Sequence, residues 1–567
     1  MRRLVAATCL LLFLASAQAQ GNLTDPNDQS TDDPTVSGQF NLLGVSYCVG
    51  VQLIAVPDSD LFFFMERPST PHPDGNHYNA GLMNAATGKF VNVRTNLSME
   101  NCGHTYLENG TVAILAGHKP QSEYKEGRRG IQILDLEAKQ LRSVGQLKFG
   151  HWLATATRLP NGMVTIMSDS PSPVGPTRKD AIKNPFYELW DPANPATTKL
   201  FQLDNNFVTK SKYFYYPRNF ILPTGDMFVW SNVFGQIINP LTGAVVASLP
   251  SWSKIPEAKG MSTSYPFSGT AVMLPLKPAD NYKVVEIMIF GGQWSWGWIN
   301  TTAVGLSMRL KITCNDNGTY TIGSWQSEKM PSPRVSGSSV LLPNGQVLLI
   351  NGAKRGLLGD AAAGGVAMLN EPNFWPVLYD PNAPAGRRYS TLGRSQIARL
   401  LHSTAGLTIN GTVLVAGGDR SDRFWSPDTY SPSPTGFPEY RVEIFSPPFV
   451  YDTDNQPTIL YAPTSIVHQD IMSIVYTAAS DAAVVTSVVL VAPPSDTHTN
   501  NMHQRVVELE ILGTDTDTNH AAAMDGSKTV TVRGPPNLNV APAGPYMLFL
   551  VVGDTYGPGQ WVYVTRS

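Results

Sequence analysis

One pattern recurs along this chain: a short apolar run, a polar turn built on Asn-Gly or a close relative, then a second apolar run that often closes on Gly. Its copies are Leu107-Glu108-Asn109-Gly110 before Thr111–Leu115, Leu159-Pro160-Asn161-Gly162 before Met163–Met167, and Leu222-Pro223-Thr224-Gly225 before Asp226–Trp230. Two more are Leu342-Pro343-Asn344-Gly345 before Gln346–Ile350, and Leu407-Thr408-Ile409-Asn410-Gly411 before Val413–Val415. Asn-Gly tolerates positive φ at both central positions of a tight turn, so each copy predicts a β-hairpin whose twist suits its strands. The run after each turn is apolar on both faces, which predicts a strand packed inside a layered sheet. Two degenerate copies fill the gaps: Gln52–Asp58 leading into Leu61–Phe64, and Ala271–Pro275 leading into Val285–Gly292.

Seven copies at this spacing predict an all-β fold, a seven-bladed kelch-type β-propeller that closes its ring radially and leaves only short edges. Seven hairpins in a plain β-sandwich array is the competing arrangement. From Pro438 the turn theme stops. Short alternating strands such as Ser487–Val491, Val506–Leu512 and Tyr546–Val552 predict a compact immunoglobulin-like β-sandwich at the C-terminal end. The expected organisation is a leader at 1–19, a flexible polar lead at 20–39, a propeller at 40–437 and a sandwich at 438–567. Three stretches interrupt the pattern. Gln293–Trp298 would put three Trp on one face if it is a strand: an apolar platform beside a ligand mouth, or packing between blades. Lys354–Pro376 is Gly- and Ala-rich and predicts a long loop, and Ser421–Phe437 is broken by Ser-Pro pairs.

The first residues change the setting. Arg2-Arg3, an apolar Leu4–Leu14 and the small-x-small triplet Ala17-Gln18-Ala19 read as a secretory signal, too short to span a bilayer. An extracellular, cell-wall or matrix location is therefore expected, which argues against an intracellular kelch adaptor. Asn22, Asn96, Asn109, Asn300, Asn317 and Asn410 begin glycosylation triplets, consistent with a glycoprotein. Removing the leader takes net charge from −3 to −5, and no basic run suggests a nucleic-acid surface. Cys48, Cys102 and Cys314 remain, an odd number, so at least one thiol is unpaired within the chain. Stability then comes from the core, and a monomer without a membrane span is expected.

The segment Arg399-Leu400-Leu401-His402-Ser403-Thr404-Ala405 puts a histidine at the mouth of one repeat. It resembles the Arg-x-Tyr-His-Ser-Thr-Ala segment of the glyoxal oxidases, secreted copper-radical enzymes related to galactose oxidase. Further segments similar to that family are Asn184–Glu188, Ser264–Gly269, Ile350–Gly356, Pro376–Pro381, Tyr440–Glu443, Thr497–Arg505 and Pro542–Leu548. The resemblance spans nearly the whole mature chain.

In that family two histidines and two tyrosines bind copper, and one tyrosine, joined by a thioether to a cysteine, carries the radical. Copper and the modified side chain together take two electrons from an aldehyde or alcohol, and oxygen returns as hydrogen peroxide. Imidazole and phenolate suit Cu(II). Carried across residue by residue, the resemblance implies that His402 and His498 are the copper histidines and that Cys102 stands at the thioether position. His151 is a third candidate ligand. The two tyrosine positions hold Leu153 and Leu401. Tyr106 or Tyr216 could substitute, but no motif singles one out.

Two functions follow. One is a secreted glyoxal oxidase-like enzyme that oxidises small aldehydes and releases peroxide. The other is a non-catalytic extracellular propeller that binds cell-wall or matrix glycans. The whole-chain resemblance favours the first, and Leu153 and Leu401 favour the second.

Overall fold

The computed structural model describes residues 33–66, 78–168, 170, 184–211, 214–359, 368–419, 438–515 and 526–566. The leader, most of the polar lead and Ser421–Phe437 lie outside them. Among the described residues, seven small antiparallel sheets succeed one another, each opening on a short buried inner strand. The inner strands are Gln52–Ala55, Gly103–Tyr106, Thr155–Arg158, Arg218–Ile221, Thr270–Met273, Ser338–Leu341 and Leu401–Leu407. The second strand lies beside the third and the third beside the fourth, the fifth lies beside the sixth and the sixth beside the seventh, and the seventh touches the first. Side-chain bonds from Tyr106 to Ala55 O and from Arg218 to Gly269 O link the remaining neighbours. Many small sheets joined in this way are the arrangement of a β-propeller.

The hairpin turns form by a different route from the one the dipeptide suggests. Only the glycine is left-handed, at φ +83° in Gly110, +87° in Gly162, +81° in Gly345 and +76° in Gly411. Asn109, Asn161 and Asn344 instead each accept a hydrogen bond from the backbone two residues on, as in Met163 N–H to Asn161 Oδ1 at 3.1 Å. An Asx turn closed by a left-handed glycine therefore replaces the turn with two positive φ values. These turns abut the C-terminal domain: Asn344 Nδ2 donates to Asp554 O at 3.0 Å, and Gly411 sits under Tyr556.

The C-terminal part is a sandwich. One sheet orders Thr458–Tyr461, Ile471–Thr477, Lys528–Arg533 and Glu510–Asp515; the other is built around Ser487–Val491 and Gly544–Val552. Ile474, Val530, Leu490 and Leu548 form its core, which runs on into Phe228 and Trp230 of the fourth sheet.

Three local expectations need correction. The strand Arg441–Ser446 does not open the sandwich: it pairs with Val413–Asp419 and with Gln39–Val45, so residues 39–45 and 441–446 meet in one sheet. The Trp-rich stretch is a strand only at Gln293–Trp294, after which Trp296 folds back to stack on Trp294 at 5.6 Å, seated over Gly260. The Gly- and Ala-rich segment carries its own hairpin, Ala353–Gly356 with Leu369–Pro372.

A hairpin of the terminal domain, Ser495–Thr497 with Asn500–Asn501, adds itself to the inner strand Gln52–Ala55. It touches every other sheet as well. Ser495 Oγ donates to His104 O, Asn500 Nδ2 to Thr155 Oγ1, and Thr499 Oγ1 to Gly269 O while accepting from Arg218. Asp496 Oδ2 accepts from Ser338 Oγ at 2.9 Å and from Ala405 N–H at 3.1 Å. The hairpin thus occupies the axis of the ring, with His498 at its tip.

Candidate metal centre

The inner strands begin at the end of the ring where the axial hairpin turns. The residues there share a rare backbone. Asn101, Leu153, Tyr216 and His402 have φ of +64°, +56°, +46° and +60°, and His498 and Thr499 have +46° and +71°. Side-chain-bearing residues rarely hold this conformation, and they hold it where surroundings fix them. A backbone relay does so here: Leu153 N–H donates to Asn101 O at 3.1 Å, and Tyr216 N–H donates to Leu153 O at 2.8 Å.

His402 is fixed from its own segment. Arg399 donates to Glu443 Oε2 from Nε at 3.0 Å and to Gly417 O at 2.7 Å. Ser403 Oγ donates to Leu400 O, and Thr404 Oγ1 donates to Gly50 O at 2.7 Å. These bonds pin the chain on both sides of His402. His402 and His498 meet with ring centroids 4.7 Å apart at 68°, both nearly closed to solvent. Thr497 Oγ1 donates its hydrogen to Val51 O at 2.8 Å and lies 2.7 Å from His498 Nδ1. In the Nδ1–H tautomer this oxygen accepts from His498 and Nε2 carries the lone pair. That tautomer is the one a metal needs.

Tyr216 completes the group. Its ring lies 5.0 Å from that of His498 at 30°, and its hydroxyl donates to Cys102 O at 3.1 Å. Burial, and then the nearby Cys102 thiol, push the Tyr216 phenol well above its ordinary value. Burial likewise pushes the Cys102 thiol up. All three described cysteines are free.

The other sequence candidates go elsewhere. His151 is wholly buried with both nitrogens engaged: Nδ1 faces Ser168 Oγ and Asn184 Nδ2, and Nε2 faces Glu188 at 3.4 Å. Tyr106 donates to Ala55 O and Pro494 O, within the ring. Leu153 packs among Trp152, Tyr215 and Tyr216, while Leu401 joins Val335, Leu358 and Leu400. Tyr216 carries no motif; what marks it is its place directly ahead of an inner strand, as with Leu153.

Among the described residues no three His, Cys, Asp or Glu side chains converge as a metal cage. Two facing imidazoles remain, and this donor pair suits Cu(II). Neither leucine adds a donor.

Residues 109–449 match the family described as glyoxal oxidase N-terminus, and residues 456–564 match the galactose oxidase-like early set domain. The chain is 29% identical to aldehyde oxidase GLOX of Vitis pseudoreticulata over 435 residues, covering 75% of this chain and 73% of that protein. It is 28% identical to aldehyde oxidase GLOX1 of Arabidopsis thaliana over 437 residues, covering 73% of this chain and 63% of that one. A solved fungal alcohol oxidase of the AA5 family, in complex with copper, shares the fold at a TM-score of 0.63 and 17% identity, over 93% of this chain and 100% of that chain. The family match takes in more than half of the sequence and includes His402, and the chain belongs to the glyoxal oxidase family.

Proposed function

We propose that this chain is an extracellular copper-binding member of the family, built on a seven-bladed kelch-type propeller, in which His402 and His498 hold the metal and tyrosyl-radical oxidation of aldehydes is lost. The observation that carries this reading is the placement of Leu153 and Leu401, buried in apolar clusters at the positions the family resemblance assigns to tyrosines. Leucine cannot ligate copper, give up an electron at an accessible potential or form a thioether. The ligand under this reading is a cell-wall or matrix glycan. Trp296 and Trp298, 65% and 46% exposed, support it as an aromatic surface on the same end of the ring as His402.

A second reading keeps the oxidation of small aldehydes with reduction of oxygen to peroxide. It is favoured by Tyr216, whose phenol stands between Cys102 and His498. One experiment separates the two. The mature chain is loaded with Cu(II), dialysed and assayed for bound metal and electron paramagnetic resonance. Peroxide release is then followed with glyoxal and methylglyoxal under oxygen. Near-stoichiometric copper without peroxide is expected. Aldehyde-dependent peroxide would overturn the first reading, and absence of bound copper would remove its metal.

A further inference from the structure

At the base of the axial hairpin, away from the histidine pair, a small cavity separates the third and fourth inner strands from the terminal domain. Its free volume is about 30 Å³. A single water needs roughly 10–15 Å³ on this measure. Its walls carry an unusual set of groups. Arg158 is 4% exposed, and none of its three guanidinium nitrogens has a hydrogen-bond partner. Both amide atoms of Asn219 are likewise unpartnered, as are Thr157 Oγ1 and His503 Nε2. Arg505 lines the same cavity and spends its donors on the carbonyl oxygens of Val540 and Ile221.

The charges do not balance. Among the described residues neither Arg158 nor Arg505 is paired with a carboxylate. The nearest one felt by Arg158, Glu108, is held by Arg566 at the surface. A buried guanidinium is always protonated and strongly unfavourable without a counter-charge. The Arg158 guanidinium lies against the backbone of Gly544, where a Cβ would overlap it. Water alone would satisfy hydrogen bonds but leave two positive charges lining one cavity.

We propose that this cavity binds a single halide-sized anion, chloride in the extracellular setting, held by Arg158 with Asn219 and Arg505 around it. The free volume admits such an ion. The ion fixes the base of the hairpin that presents His498, because Met502, His503, Gln504 and Arg505 continue directly from that hairpin.

The test uses the full mature chain. A crystal soaked in sodium bromide is measured at the bromine edge, and thermal unfolding is followed at constant ionic strength as gluconate is replaced by chloride. A bromide peak within contact distance of Arg158 is expected, with a saturable rise in Tm of a few degrees in chloride. Arg158→Met should abolish the chloride dependence and be at least as stable as the parent in gluconate, since it removes the unpaired charge. The bromide measurement needs no variant, so poor folding of Arg158→Met would not remove the test. No bromide peak with a Tm indifferent to chloride would overturn the proposal. So would a chloride effect of undiminished size in Arg158→Met.

Discussion

The hydroxyl of Tyr216 donates to the carbonyl oxygen of Cys102 at 3.1 Å, across the intervening third sheet. Backbone bonds from Asn101 through Leu153 to Tyr216 set that span. Tyr216→Phe leaves a buried carbonyl without this donor and should cost about 1 kcal/mol of stability. Denaturant unfolding of parent and variant measures it. Under the radical-free reading the Cu(II) spectrum is unchanged by this substitution.

The two imidazoles should be separable from their support. His402→Ala and His498→Ala should each weaken Cu(II) binding by more than about a hundredfold. Thr497→Val removes the hydroxyl that contacts His498 Nδ1 and should cost about tenfold to a hundredfold while leaving both ligands in place. His151→Gln should leave copper affinity unchanged. Isothermal titration calorimetry ranks the four variants, and a loss of binding in His151→Gln would contradict the assignment.

Leu401→Tyr places a larger, polar side chain in a closed apolar cluster with Val335, Leu358 and Leu400. Overpacking of this kind should lower stability by about 1–3 kcal/mol. A wild-type Tm in the variant would mean the cluster has room for a phenol, against the tight packing described.

Asp496 supplies a pH signature. Burial pushes its carboxyl up to about 6 from an ordinary 3.8, against opposing hydrogen bonds from Ala405 and Ser338. The folded state therefore holds the proton more tightly than the unfolded state. Its contribution is fully present below about pH 4 and is lost as pH rises through 6, on the order of 3 kcal/mol in all. The stability of the parent minus that of Asp496→Asn should fall across this window. A difference that is flat from pH 4 to 7 would refute it.

Much of the ring was legible because its cause is local. Leucine, a turn and glycine recur, and the five complete copies predict hairpins that the structure contains. The roles of the turn residues were less legible, since Asn161 acts through its side chain and not its backbone. The placement of Arg441–Ser446 was hidden, because its partner strand Gln39–Val45 lies at the far end of the sequence and no local signal links them. His402 and His498 were found by resemblance, and the contact between their rings required the fold. Tyr216 was named without a reason to prefer it: a phenol reaching past Leu153 to Cys102 is a relation among three sheets that no spacing encodes. The unpaired Arg158 was invisible for the same reason.

The axial hairpin has a consequence for biosynthesis. His402 belongs to the last sheet of the ring, yet its companion arrives on a later domain that must thread the hub and bond to all seven sheets. A nascent chain released before residue 495 could close its ring and still have only one of the two imidazoles. Under the copper-binding reading, metal capture is thereby postponed until this hairpin has been made, and a product truncated before it lacks half of the donor pair.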